Sequence, residues 1–205
     1  MNGYTTLAGN GRYEYEDRKS VFIGLCAPVS TESDALAFIE AVRKRYSDAK
    51  HHVYAYSLRE NSIARFSDDR EPQGTAGIPV LDALRKKEIV DAVIVVVRYF
   101  GGTLLGTGGL VRAYSASAVG AVENAGELNY DNYSFYEVEL SYSDHGKATS
   151  VLEGGDFRAT DIRYTDRVTV FGKIKTALED SFVKSLVETT GGRSSVKKIN
   201  EKFDF

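Results

Sequence analysis

Apolar residues run unbroken through positions 93–97, Val-Ile-Val-Val-Val. A run without polar alternation reads as a strand buried on both faces. Upstream, residues 12–16 alternate and predict an edge strand. Residues 19–28 predict a stronger strand, ended by Pro28. Thr31 and Asp34 have the spacing of a capping box. Ala35, Ile39, Val42 and Tyr46 follow at helical spacing, and cations at 43–45 suit the helix end. Residues 51–58 predict a strand with Val53, Ala55 and Ser57 on one side and Tyr54, Tyr56 and Leu58 on the other. A turn and a short return strand at 63–66 come next, and Pro79 suits the first turn of a helix. Beyond residue 97 a glycine-dense loop leads into a helix of small residues, including Ala113, Ser117 and Ala121, with Gly126 as its stop.

Residues 129–132 are polar and predict a linker. After it the pattern restarts. Residues 134–142 alternate, 144–152 predict a short helix with Asp144 as cap, and 157–164 and 167–173 predict strands. An amphipathic helix at 176–190 ends at Gly191 and Gly192, and 194–203 form a last strand. The order βαββαβ is the ferredoxin-like pattern. The chain is therefore expected to be α+β with two domains, 1–130 and 131–205.

With 205 residues there is room for two small domains, and 42% hydrophobic with 27% charged residues is ordinary for a soluble globular protein. No apolar run is long enough to span a membrane, and the N-terminus has no basic-then-apolar signal pattern. The single cysteine, Cys26, sits in an apolar strand, so a cytoplasmic location is expected. Net charge is −3, with 15 Lys/Arg against 16 Asp/Glu in residues 1–130 and 11 against 13 in residues 131–205. Neither part is basic enough to coat nucleic acid generally. Any such contact must rest on a local patch.

The loop and helix start carry Gly101, Gly102, Thr107, Gly108 and Gly109, flanked by Arg98 and Arg112. Glycines let backbone N–H groups converge on an anion, which the helix start and two guanidinium groups would favour. The plainer reading is a tight turn with close packing, and residue chemistry leaves the two open. The spacing matches neither a dinucleotide fingerprint nor a P-loop. His51, Asp68, Asp69 and Glu71 could hold a divalent metal or do acid–base work, but fit no common metal motif. Alternatively the carboxylates cap turns and pair with Arg98 or Arg112. The loop at 68–77 is expected to lie against the loop at 98–112. Tyr99, Tyr114, Tyr54 and Tyr56 stand near these loops, where aromatics beside arginine can stack on bases.

These residues also resemble a known family. His51-x-x-Tyr54-Ala55-Tyr56, Asp68-Asp69-x-Glu71-Pro72-x-Gly74-Thr75-Ala76-Gly77 and Arg98-Tyr99-Phe100-Gly101-Gly102 are similar to the signature of the IMPACT (YigZ-like) proteins. The stretch Leu105-Gly106-Thr107-Gly108-Gly109-Leu110-Val111-Arg112-Ala113-Tyr114 extends the match. Arg70, Gln73 and His52 depart from the pattern, which has Gly, Ser and commonly Asn there. The resemblance implies an N-terminal α/β fold like the second domain of a small-subunit ribosomal protein. It implies a ferredoxin-like C-terminal domain similar to elongation-factor modules. Its eukaryotic members are translational regulators.

The leading expectation is a non-enzymatic, translation-associated regulator. It would bind RNA or ribosome-associated proteins through the Gly/Arg loop. The binding residues would be His51, Asp68, Asp69, Glu71, Thr75, Arg98, Tyr99, Gly101, Gly102, Thr107, Gly108, Gly109, Arg112 and Tyr114. No catalytic residue, metal or cofactor is assigned. One alternative is a phosphate- or nucleotide-binding enzyme using the loop at 101–109 with His51 and Asp69. Another is a regulator that docks a protein on the loop at 68–77.

Overall fold

A computed structural model describes residues 3–205. They divide into two compact units. One is Tyr4–Asn129, and the other is Tyr130–Phe205 together with Gly3.

The first unit contains β1 (Tyr4–Leu7), β2 (Gly11–Asp17), β3 (Ser20–Pro28), α1 (Glu32–Arg45), β4 (His51–Leu58), β5 (Ile63–Ser67), α2 (Gly77–Arg85), β6 (Ala92–Tyr99) and α3 (Gly106–Ala125). Five strands form one sheet in the order β2-β3-β6-β4-β5, every neighbouring pair antiparallel. The unbroken apolar run is the middle strand, β6. Its residues alternate between two cores: Ile94 and Val96 pack with α2 and α3, while Val93, Val95 and Val97 pack with α1. Helices on both faces remove any solvent-facing position, so polar alternation is absent even in an antiparallel sheet. β4 divides as its pattern predicts, with Val53 and Ala55 in the first core and Tyr56 and Leu58 in the second.

The capping box at Thr31 and Asp34 forms, and α1 buries Ala35, Ile39 and Val42. The small residues of α3 bring it close to the sheet, where Ser117 Oγ donates to the Phe22 carbonyl at 3.3 Å. Cys26 is core packing, its thiol pushed up to about 11 by burial. β1 has no counterpart among the expected elements. It is too short to show a period, and the Val90 N–H donating to the Thr5 carbonyl at 2.9 Å helps hold it.

The second unit is built from β7 (Glu127–Leu140), α4 (Tyr142–Leu152), β8 (Arg158–Tyr164), β9 (Val168–Lys175), α5 (Glu179–Thr190) and β10 (Ser195–Asp204). Strand order β10-β7-β9-β8, all antiparallel, is the ferredoxin-like arrangement. Two expectations are corrected. Residues 129–132 are not a linker but part of β7, where Asp131 and Asn132 pair with Asp204 and Phe203. Ladder bonds belong to the backbone, so polar side chains do not break them. The cap of α4 is Ser141, not Asp144. Ser141 Oγ accepts the Asp144 N–H at 3.1 Å, and Arg193 grips the Asp144 carboxylate at 2.6 and 3.1 Å. Arg193 and Ser141 hold that carboxyl down at about 2. Among the described residues no helix is long and apolar enough to cross a membrane.

Candidate functional site

Strand register assembles the site. His51 of β4 and Phe22 of β3 both stand opposite Arg98 of β6. Alternation puts this row on the sheet face that carries α2 and α3. Glu71 and Tyr114 close over it. Glu71 Oε1 accepts Arg98 Nη1–H at 2.6 Å and the Tyr114 hydroxyl at 2.7 Å. The Arg98 and Glu71 side chains are only 7% and 4% exposed, so this pair is shielded from water and weakly screened. Tyr114 is fully buried, packs edge-on against Phe22 at 5.1 Å, and its phenol is driven far up by burial and by the Glu71 charge. Arg98 Nε is buried and has no hydrogen-bond partner among the described residues.

Both histidines grip the neighbouring loop. His51 Nδ1 lies 2.9 Å from the Asp69 carbonyl, which only accepts, so Nδ1 carries the proton. His51 Nε2 is 3.9 Å from Glu71 Oε1, too far for a hydrogen bond. The His52 backbone N–H donates to Asp69 Oδ2 at 2.6 Å, and its Nε2–H donates to the Tyr46 carbonyl at 2.9 Å. Asp68 accepts from the backbone N–H groups of Gly74, Ala76 and Gly77 at 2.9, 3.1 and 2.7 Å. It thus caps α2, whose own first residues supply no side-chain cap. Thr75 is buried and donates to the Pro72 carbonyl at 2.6 Å.

Asp69 and Arg70 occupy left-handed backbone, at φ +40° and +69°. Arg70 stands where the resembling family has glycine, and its Nη2 reaches the Lys50 carbonyl at 2.9 Å. The side chain is thus accommodated, at a strained backbone. Arg70→Gly is expected to stabilise the chain by roughly 0.5–1 kcal/mol, since the relieved strain exceeds the added freedom of the unfolded chain. Urea denaturation would measure it, and a loss of stability would count against the strain.

The glycines separate by role. A Cβ on Gly101 would lie 2.1 Å from the Lys19 backbone, and the Gly101 N–H donates to Ser20 Oγ at 3.0 Å, so this glycine is a packing device. Gly102 and Gly106 have φ of +86° and +71°. Gly109 is buried, whereas Thr107 and Gly108 are exposed and a Cβ on Gly108 would meet nothing. α3 begins at this exposed stretch without a side-chain cap. Arg112 is exposed and makes no ion pair among the described residues.

The loop at 68–77 does meet β6, through Glu71 and Arg98. The structure does not bring Arg98 and Arg112 together in the same state: Arg98 is buried and paired with Glu71, while Arg112 stands in solvent. Only Glu71 of the three carboxylates pairs with an arginine; Asp68 and Asp69 serve backbone N–H groups. The tyrosines are also redistributed. Tyr99 packs on the α1 side and donates to Asp48 Oδ1 at 2.7 Å, which lifts its phenol to about 12. Tyr114 is too buried to stack on a base. Phe100 is 52% exposed, with the Arg98 guanidinium 5.6 Å from its ring. Its place between a strand end and two glycines was the available signal. Among the described residues no cluster of three His, Cys, Asp or Glu is arranged to hold a metal.

Two family models match the chain in succession. The model of the Impact N-terminal domain matches residues 18–122, and a domain of unknown function (DUF1949) matches 138–193. The chain belongs to the IMPACT family. It is 34% identical over 199 residues to the IMPACT family member YvyE of Bacillus subtilis, covering 97% of this chain and 92% of that one. It is 32% identical over 189 residues to YigZ of Escherichia coli, covering 91% and 93%. A crystal structure of a hypothetical protein superposes with a TM-score of 0.61 at 30% identity, covering 98% of this chain and all of that one.

Proposed function

We propose that this chain is a cytoplasmic, translation-associated regulator that binds RNA at the loop end of its first sheet and has no catalytic activity. One observation supports this above the others. The exposed, uncapped start of α3 sits two turns from an unpaired Arg112, while Arg98 is buried behind it as a scaffold. Free N–H groups and a positive dipole end favour a phosphate there, and a guanidinium adds a bidentate contact. Phe100 supplies a ring for a base. The enzyme reading with His51 and Asp69 has less support, since both polar ends of Asp69 are engaged by the two histidines. The protein-docking reading on the loop at 68–77 has less support, since Asp68, Asp69 and Glu71 are all engaged within the domain.

RNA binding should weaken steeply with salt. Arg112→Ala should weaken it by about 1–3 kcal/mol and lower the salt slope by about one. Arg112→Lys should recover part of the loss, because lysine keeps the charge but not the planar fork. An unchanged slope in Arg112→Ala would remove this arginine from the contact.

A further inference from the structure

The ferredoxin-like sheet covers only one of its faces with helices. Val138 and Leu140 of β7 and Val168 and Val170 of β9 pack there with α4 and α5. On the opposite face β7 carries Phe135 and β9 carries Phe171, and Tyr133 shares that face but is buried, with Lys173 4.9 Å from its ring centroid. Register places Phe135 opposite Lys173 and Glu137 opposite Phe171, so the two phenylalanine rings are diagonal neighbours. Both are only partly buried.

Each of these two rings sits under a cation from an outer strand. Arg163 of β8 lies 4.8 Å from the Phe171 centroid, and Lys202 of β10 lies 5.0 Å from that of Phe135. Both cations are exposed, Arg163 by 68%, and Arg163 Nε also pairs with Asp161 at 2.9 Å, an acid it would share with an incoming phosphate. Acids also line this face, yet several are already matched: Asp204 by Lys173, Asp131 by Lys175 and Glu139 by Arg167. Arg158, Lys197 and Lys202 make no ion pair with an acid among the described residues. All three stand on the outer strands.

We infer that this open face is a second binding surface, and that its ligand is single-stranded RNA. An exposed cation–π contact contributes less than a base stacked on the same ring, so a base displaces Arg163 or Lys202 from its ring. The displaced cation then meets the phosphate beside that base. Rings on central strands and unmatched cations on outer strands have the layout a single strand needs: bases inward, phosphates outward. Glu137, at the level of the rings, accepts from the N–H edge of a stacked base. A duplex hides its base faces and gains nothing from the rings.

The test uses the full chain and a short single-stranded RNA of mixed sequence, with its duplex as control. Phe171→Leu keeps the packing volume nearly intact and should weaken single-strand binding fivefold or more, leaving the duplex unaffected. The loss should persist in an Arg112→Ala background, which separates this face from the loop at 101–112. Arg158→Ala/Lys202→Ala leaves the helix-covered core untouched and should lower the salt slope for the single strand. Equal binding by wild type and Phe171→Leu overturns the inference. So does duplex binding as tight as single-strand binding. Should Phe171→Leu fail to fold, an unchanged salt slope in Arg158→Ala/Lys202→Ala overturns it.

Discussion

Glu71→Ala should destabilise the first unit by about 3–5 kcal/mol, the cost expected when one partner of a buried ion pair is removed. The Arg98 guanidinium would remain buried with its charge uncompensated and its Nη1 donor joining Nε without an acceptor. The Tyr114 hydroxyl would lose the same acceptor in a fully buried position. Glu71→Gln keeps one oxygen but cancels the charge and should recover only part. Glu71→Leu/Arg98→Met removes both charges together and should fold with much of the lost stability regained, as apolar replacement of buried pairs often does. Chemical denaturation of the two single variants and the double variant gives the coupling energy. A Glu71→Ala variant within about 1 kcal/mol of wild type would mean that water reaches the pair.

Asp68→Ala should cost roughly 2–4 kcal/mol, through the start of α2 rather than through any arginine. Its two oxygens accept three backbone N–H groups, from Gly74, Ala76 and Gly77, which alanine would leave without an acceptor. Charge-assisted bonds of this kind contribute more than neutral ones, and the negative charge also meets the positive end of the helix dipole. Asp68→Asn retains a single acceptor oxygen, so it can serve one side of the cradle but not both. It should fall between alanine and wild type. Amide exchange at Gly74 and Gly77 would report the loss locally, and unchanged protection there would contradict the capping role.

Much of the architecture was legible because one pattern dominated locally. The β-branched run at 93–97 had no other fate than a strand covered on both faces, and Thr31 with Asp34 marked a helix start by spacing alone. The meeting of Glu71 with Arg98 followed from opposite charges in two polar stretches that flank a core. Their burial did not, because it depends on Tyr114 arriving from α3 through the packing of small residues. The face on which Tyr99 lies is set by strand parity counted from Arg98, and an expectation based on nearness in sequence missed it. Residues 129–132 were read by side-chain polarity, whereas all four lie in β7, where the ladder with β10 takes up Asp131 and Asn132. The divided roles of the glycines are likewise invisible in sequence: Gly101 answers to the backbone of Lys19, a neighbour distant along the chain.

The central claim is that RNA contacts the exposed start of α3 and Arg112 while Arg98 stays locked to Glu71. The most direct measurement follows backbone amide and arginine side-chain NMR signals as a short RNA is added to the full chain. The account predicts shifts at Gly106, Thr107, Gly108 and Arg112 that grow with RNA and shrink with salt, with Arg98 Nε nearly still. Binding that leaves these signals in place, or that moves Arg98 Nε while Arg112 is silent, would contradict it.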